Sequence, residues 1–272
     1  MLPIMDGFAK YLSEELPVLQ ITWARYFFTV LFTFPLMFFF FKKYLVWTDK
    51  PKLQLIRGFI LLTANISFFY SISVISLPKA LTLAFVAPLV VTAFSPFFLG
   101  ESVGYRRWTA VIIGFIGSLV VIRPGFVEIN LASLAALGTG IMYGFYLIIT
   151  RKLSSSDNPL LTLLLTGVVG AIIATTFMPF VWVSPTFNQW SIMAAIGLFA
   201  CIGHLFIILS LKYADASKLA PFSYFEIVTN IIIAYYFFGD FPDSWTFLGL
   251  FIIVFSGIYI SRRENIVKNI KI

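Results

Sequence analysis

The sequence predicts an all-α integral membrane protein, a ten-helix bundle made of two inverted five-helix repeats. Of its 272 residues 60% are hydrophobic and only 11% are charged, whereas about 25% are charged in an ordinary soluble domain. The mean hydropathy is +0.96. Apolar runs of about 20 residues, the length of helix that crosses a bilayer, recur along the whole chain. A water-soluble monomer is therefore excluded.

Charges, prolines and polar clusters bound these apolar runs and give the limits of each predicted helix. Nine full-length spans are predicted, at 18–41, 54–76, 80–99, 105–123, 131–151, 159–183, 190–212, 217–239 and 244–261. A shorter helix at 2–12 precedes them. The residues before Ser13 would form a helix of only about 18 Å, which is too short to span. We therefore expect the first helix to be truncated in the given chain.

Loop charges predict the orientation of the bundle. The loop at 42–57 and every second loop after it carry most of the basic residues, among them Arg57, Arg106 and Arg107. The positive-inside rule places these loops and both termini in the cytoplasm, so we expect a multi-pass protein of the cell (inner) membrane. The formal charge of +7 then reflects orientation. A nucleic-acid surface, which would collect the basic residues on one face, is not predicted.

A repeat relates the two halves of the chain. A shift of 139 residues maps 65–123 onto 204–262 without a gap, and places Lys79 on Lys218 and Arg123 on Arg262. Each half holds five helices, and an odd number forces the second half to enter the membrane in the opposite direction. We expect one repeat at 1–124 and a second, with a short cytoplasmic tail, at 125–272.

Arg25 lies inside a predicted span, where an ionisable side chain costs about 2.5–3.5 kcal/mol on insertion scales. It shares a helix face with Thr22, Thr29 and Thr33, which predicts a polar stripe that binds an anionic or carboxylate group. The alternative is an arginine that extends to the outer interface.

Glu226 lies near the middle of its predicted helix, with Ser223 and Asn230 at i−3 and i+4 on the same face. A carboxyl in this position is a candidate for binding a cationic group or a coupling proton. The alternative is a neutral acid that hydrogen-bonds between helices.

Asp6 and Lys10, spaced i,i+4 on the short helix, form a further candidate site, for which a local ion pair is the alternative. Asn65 and His204 occupy the same position in the two repeats. This coincidence predicts a polar layer at matched depth, although a lone histidine among small residues also fits a packing role.

Tyr143 and Tyr146 surround a Gly140-x-x-x-Gly144 motif in one helix. The glycines allow close helix packing, and the tyrosines are candidates for the wall of a substrate cavity. No nucleotide-binding or catalytic motif is present. One Cys and one His leave too few ligands for a structural zinc site or a disulfide, so no metal and no cofactor are predicted.

Four stretches resemble EamA-type members of the drug/metabolite transporter superfamily: Met5–Leu12, Gln20–Tyr26, Ala220–Glu226 and Phe238–Asp243. The likeness covers essentially the whole chain, and it implies a ten-helix bundle with a substrate cavity between inverted halves. Asp6, Arg25 and Glu226 correspond to positions that the resemblance implies are cavity residues. The family identifies the scaffold, and its range of substrates includes amino acids, nucleoside-like compounds, S-adenosylmethionine and riboflavin.

The residues and the resemblance together predict a secondary transporter, not an enzyme, that moves a small polar or amphiphilic metabolite by alternating access. Its expected partners are that metabolite, the lipid bilayer and a coupling proton, and the chain is a monomer or a homodimer. One alternative is a lipid-modifying membrane enzyme, whose acids, or an acid and a histidine, would converge near the lipid–water boundary. Another is a non-transporting membrane subunit, whose polar residues would face a partner helix.

Overall fold

The computed structural model describes residues 1–40, 48–100, 103–125, 130–154, 156–213 and 216–270. Lys42, Lys43 and Glu101, which belong to predicted loops, and the side chain of Ser223 lie outside the described part. Eleven helices are found within these ranges: α1 (Leu2–Leu12), α2 (Val18–Phe40), α3 (Pro51–Val74), α4 (Leu77–Ala84), α5 (Ala87–Leu99), α6 (Tyr105–Ile122), α7 (Leu131–Leu153), α8 (Pro159–Val181), α9 (Phe187–Tyr213), α10 (Ala216–Phe238) and α11 (Ser244–Ile270).

The predicted membrane fold is confirmed. Within the described ranges, eight helical segments are long and apolar enough to cross a membrane, with α4 and α5 together forming one of them. The shorter α1 and the partly apolar α10 complete a ten-helix bundle. Phenylalanine, leucine and isoleucine side chains on the outer surface of α2, α6 and α11 remain exposed, as expected where lipid is the solvent.

The packing of the helices follows the repeat. Helix α2 packs on its counterpart α8, and α6 packs on its counterpart α11. The pairs α1–α9 and α3–α7 are equivalent under the same relation, and both are in contact. Gly117 and Gly249 allow α6 and α11 to touch, because a Cβ on Gly249 would lie 2.6 Å from the Gly117 carbonyl oxygen.

The span predicted as one continuous helix at 80–99 is divided in the structure. Helix α4 ends at Ala84, Phe85 and Val86 interrupt it, and α5 starts at Ala87 with Pro88 in its first turn. Proline fits there because the first turn needs no N–H donor. The motif glycines of α7 pack against this break: a Cβ on Gly140 would lie 2.5 Å from the Ala84 carbonyl oxygen.

Two arginines that the loop-charge analysis counted on the cytoplasmic side are buried within helices. Arg57 lies in the second turn of α3 and is 0% exposed, and Arg107 lies in α6 and is 7% exposed. Both lie within the predicted spans at 54–76 and 105–123, and α3 begins at Pro51, three residues before the predicted start. The buried Arg57 side chain contacts Tyr146, a predicted residue of the candidate site.

Candidate functional site

A cavity of about 660 Å³ lies inside the bundle, where residues of α1, α3, α4, α5, α7, α9, α10 and α11 converge. It brings together five of the eight side chains predicted for the site: Asp6, Asn65, Tyr143, His204 and Glu226. The rest of the wall is mostly apolar, with Phe68, Phe85 and Phe225 among its members. A mostly apolar pocket with a few convergent polar groups is the usual form of a small-molecule site.

The cavity extends to one end of the bundle. Its lining reaches Arg151, Leu211 and Ser261, which lie near the ends of α7, α9 and in the second half of α11. The other end is held by two ion pairs between the predicted halves. Lys10 Nζ lies 2.8 Å from Asp240 Oδ2, and Arg123 Nη2 lies 2.8 Å from Asp243 Oδ2.

Asp243 lies in the loop between α10 and α11. Partial burial acts to raise the pKa of Asp243, but hydrogen bonds from Thr246 and the charge of Arg123 outweigh it and hold the pKa below its ordinary value. The Asp243 carboxylate therefore stays ionised near neutral pH and keeps its pair with Arg123.

Asp6 faces the cavity and is not paired with Lys10. The Lys10 ammonium instead pairs with Asp240 and lies 3.4 Å from the carbonyl oxygens of Ile72 and Ile75. The local i,i+4 pair considered from the sequence is thus replaced by a contact between distant helices. Asn230 is fully buried beside Asp6, but its amide atoms fall short of hydrogen-bond geometry with any partner in the described part of the chain.

Arg25 is only 2% exposed, so it does not extend to the membrane interface. Its Nη2 lies 2.7 Å from His204 Nε2, and its guanidinium stacks over the Tyr26 ring at 4.6 Å. The threonines on its face bond to protein groups: Thr29 donates to the Arg25 carbonyl, and Thr33 contacts Cys201. The polar stripe predicted along α2 therefore faces α9.

Arg25 and Tyr146 do not line the large cavity. They line a small pocket of about 10 Å³ next to it, and His204 and Leu61 belong to the walls of both. Tyr143 joins the two regions, because its ring stacks on Tyr146 with centroids 5.4 Å apart. Seven of the eight predicted residues thus line the large cavity or its side pocket, and Asn230 is buried beside Asp6.

Arg57 is the residue that the sequence analysis missed. Its Nη2 donates to the Tyr146 hydroxyl at 2.9 Å, its Nε donates to Thr150 at 2.7 Å, and Nη1 donates to the Thr162 carbonyl at 3.1 Å. The Tyr146 oxygen in turn lies 3.1 Å from His204 Nδ1. A continuous chain of contacts therefore runs from Arg57 through Tyr146 and His204 to Arg25.

Asn65 is held in the cavity wall by two hydrogen bonds. Its Nδ2 donates to the Tyr26 hydroxyl at 3.0 Å and to the Leu61 carbonyl at 2.6 Å. Glu226 lies in the same cavity and is close enough to Asp6 for the two carboxyl groups to interact. Neither of these acids forms an ion pair with a described basic residue.

A family profile matches most of the chain and identifies its family. The profile of the EamA-like transporter family matches residues 4–123 and 130–262. The chain belongs to the EamA-like transporter family. This membership confirms the resemblance seen in the sequence, and it confirms the prediction of a metabolite transporter.

Three curated relatives are similar to this EamA-like transporter. An S-adenosylmethionine uptake transporter of Rickettsia conorii is 26% identical over 98% of this chain and 90% of its own. A riboflavin transporter of Vibrio cholerae is 29% identical over 69% of this chain and 63% of its own. A pseudopaline exporter of Pseudomonas aeruginosa is 24% identical over 96% of this chain and 92% of its own.

A crystal structure shares the fold of this EamA-like transporter. It superposes with a TM-score of 0.69 and 16% sequence identity, over 96% of this chain and 95% of that one. At this identity the likeness supports the fold alone.

Proposed function

We propose that this EamA-like transporter is a secondary transporter that carries S-adenosylmethionine, or a metabolite of the same chemistry, by alternating access. The central cavity with its two carboxyl groups is the observation that carries the proposal. Its volume of about 660 Å³ suits a small metabolite, since ligand pockets measure about 300–1,000 Å³.

The chemistry of the walls supports a substrate with both a positive and a negative group. Asp6 and Glu226 offer carboxylates to a cationic centre such as a sulfonium or an ammonium. Arg25 lies in the side pocket, and His204 lines both the pocket and the cavity, so a carboxylate would be bound at this junction. Tyr143 offers an aromatic face for a base or another flat group.

Relatives support S-adenosylmethionine ahead of riboflavin. The uptake transporters named for S-adenosylmethionine align with nearly the whole chain, whereas the riboflavin transporter aligns with 69% of it. Riboflavin carries no charge, so it would leave the acids of the cavity and Arg25 without a charged partner. Leaving such buried groups unpaired is costly.

The two ends of the cavity support alternating access. The cavity reaches one end of the helix bundle, and the Lys10–Asp240 and Arg123–Asp243 ion pairs hold the other end closed. With the termini in the cytoplasm of the inner membrane, as the loop charges predict, the open end faces inward. Transport then requires these pairs to break as the halves rock. A gradient supplies the energy, and Glu226 is the candidate for a coupling proton.

Counterflow in proteoliposomes tests the proposal. Vesicles that hold the purified protein and unlabelled S-adenosylmethionine are expected to accumulate tritiated S-adenosylmethionine transiently, while riboflavin in excess leaves that uptake unchanged. The accumulated label should be recovered chemically unaltered, because an enzyme would convert it. The absence of uptake above that of protein-free vesicles would contradict the proposal, and a converted product would favour the enzyme alternative.

A further inference from the structure

Two buried arginines in the side-pocket region lack a carboxylate partner. Arg25 is 2% exposed and Arg57 is 0% exposed, and neither forms an ion pair with a described Asp or Glu. Asp6 is close enough for its charge to act on Arg25, but it lies in the large cavity. Asp157, at the end of the bundle near Arg57, accepts hydrogen bonds from Thr48 and Gln54 instead. A desolvated guanidinium without a counter-charge is costly.

The direction of each hydrogen bond in the chain follows from the arginines. A guanidinium only donates, so His204 Nε2 must accept from Arg25 across the 2.7 Å contact. A neutral imidazole has one acceptor nitrogen. His204 Nδ1 therefore carries the hydrogen and donates to the Tyr146 oxygen. That oxygen also accepts from Arg57, and its two lone pairs are then used.

Two donors are left over by this pattern. The Tyr146 hydroxyl hydrogen cannot point at His204 or Arg57, which both donate to its oxygen. Arg25 Nε has no partner in the described part of the chain. Both residues line the pocket of about 10 Å³, which has room for about one small atom such as a water or an oxygen. The pocket therefore offers hydrogen-bond donors to a single atom beside the positive charge of Arg25.

We propose that the pocket between Arg25, Tyr146 and His204 is a subsite for one carboxylate oxygen of the substrate, and that Arg57 is the positioning residue that prepares it. Arg57 holds Tyr146 as an acceptor, so that the Tyr146 hydroxyl hydrogen stays available to the substrate. The substrate must then carry an acceptor-only anionic group at this end. The identity of the substrate that carries this carboxylate rests on the proposed function. The arrangement of hydrogen-bond donors in the pocket does not depend on that function.

The tautomer of His204 tests the donor pattern without any substrate. The chain has 1 His, so ¹⁵N-histidine labelling gives the signals of this imidazole alone. At neutral pH we expect a neutral ring with hydrogen on Nδ1 and none on Nε2. In Arg25→Met the donor to Nε2 is lost, and the hydrogen is expected to move to Nε2. Hydrogen on Nε2 in the unaltered protein, or a doubly protonated ring, would overturn the inference.

Formate, the smallest carboxylate, tests whether the pocket binds such a group. Formate is expected to shift the His204 ¹⁵N signals of the unaltered protein and not those of Arg25→Met. Chloride at the same concentration tests whether a halide ion shifts the His204 signals as well. A shift with chloride and none with formate would overturn the assignment to a carboxylate, and no shift with either would overturn the subsite.

A matched pair of ligands tests the role of Arg57 in the proposed function. S-adenosylmethionine and its decarboxylated counterpart differ by the carboxylate alone. The protein is expected to prefer the former by about tenfold or more, the usual effect of a charge-assisted hydrogen bond. In Arg57→Gln and Tyr146→Phe the preference should fall to about twofold, with affinity for the decarboxylated compound unchanged. Tyr70→Phe, which removes a hydroxyl of α3 outside the chain of contacts, should keep the preference.

The outcomes separate this inference from the proposed function. If neither S-adenosylmethionine nor its decarboxylated counterpart binds, the proposed substrate is wrong. The formate and tautomer measurements then still test the subsite. If both bind equally to the unaltered protein, the subsite is refuted while transport of S-adenosylmethionine stands. If Arg57→Gln fails to fold, Tyr146→Phe removes the same link with little loss of packing. An unaltered preference in Tyr146→Phe would then overturn the role of Arg57.

Discussion

Lys10 and Asp240 join α1 to the α10–α11 loop at the closed end of the cavity, and replacing Lys10 by methionine is expected to favour the open state there. The side chains are 15% and 26% exposed and the N–O distance is 2.8 Å. A partly exposed ion pair contributes about 1 kcal/mol at most. The Lys10 contacts to two carbonyl oxygens, at 3.4 Å, are longer than good hydrogen bonds and add little.

A change of about 1 kcal/mol corresponds to about a fivefold change in the ratio of the two states. The assay is the labelling rate of a cysteine at Ala234, in a background where Cys201 is alanine, with a membrane-impermeant maleimide added from outside. Ala234 is 0% exposed and lies on α10 between Glu226 and Asp240. Its labelling should therefore accelerate when the outer end opens.

Two further sets of variants serve as controls for this prediction. Lys79→Met removes a charge at the same end, where Lys79 forms no ion pair with a described residue and acts on Asp243 only through its charge, and should change the rate less than Lys10→Met does. Asp240→Asn should accelerate labelling as much as Lys10→Met does, and the double variant should add nothing, because both remove one interaction. Equal rates in Lys10→Met and the unaltered protein, or additive effects in the double variant, would refute the assignment of this pair as a closing contact.

Three further predictions concern packing and pH. Gly249→Ala should lower the free energy of unfolding by about 1–3 kcal/mol, because its Cβ would lie 2.6 Å from the Gly117 carbonyl oxygen. Thermal unfolding measures this change. The control Gly138→Ala, whose Cβ would have no atom closer than 4.0 Å, should leave the free energy of unfolding unchanged or raise it. Glu226→Gln should abolish the pH dependence of uptake while binding persists; a pH profile identical to that of the unaltered protein would assign Glu226 to structure. The pKa of Asp243 is lowered in the closed state, so its ionised form stabilises closure above the ordinary aspartate pKa of about 3.9, and this stabilisation is lost only as pH falls further. In the Glu226→Gln background, maleimide labelling through the outer end, divided at each pH by the labelling rate of the same cysteine in the unfolded protein, should therefore be constant between about pH 5 and 8.

The bundle itself could be predicted from the sequence because lipid imposes one strong constraint. Each run of about 20 apolar residues must satisfy its backbone internally, and only a helix does so. The break between α4 and α5 was missed because residues 80–99 are apolar on both sides of it. Pro88 was the available signal, since proline favours the first turn of a helix, where α5 places it.

Arg57 shows why the site could be predicted only in part. Its charge assigned it to the cytoplasmic loop at 42–57, yet Gln54, Arg57 and Asn65 are all buried in α3 in the structure. Their spacings of three and eight residues place them on one face of a helix, a pattern that could have indicated burial. Its partners Thr150, Tyr146 and Thr162 lie on α7 and α8, and no local pattern specifies such contacts.

Lys10 shows the same limit for ion pairs. The i,i+4 spacing made Asp6 its expected partner, and that pair would contribute only about 0.2–0.5 kcal/mol. Asp240 competes from a distant loop with an ion pair, and the carbonyl oxygens of Ile72 and Ile75 lie 3.4 Å from the same ammonium. Tertiary contacts of this kind decide which of two acids a lysine binds, and they leave Asp6 to the cavity.

Equilibrium binding of tritiated S-adenosylmethionine tests most directly whether the central cavity is the substrate site. Val91 lines the cavity, and Val91→Trp would place an indole ring in the space for the substrate, whereas Val74 is 52% exposed on the outer surface and Val74→Trp is the matched control. Saturable binding is expected in the unaltered protein and in Val74→Trp, with none in Val91→Trp. Undiminished binding in a folded Val91→Trp protein would contradict the account.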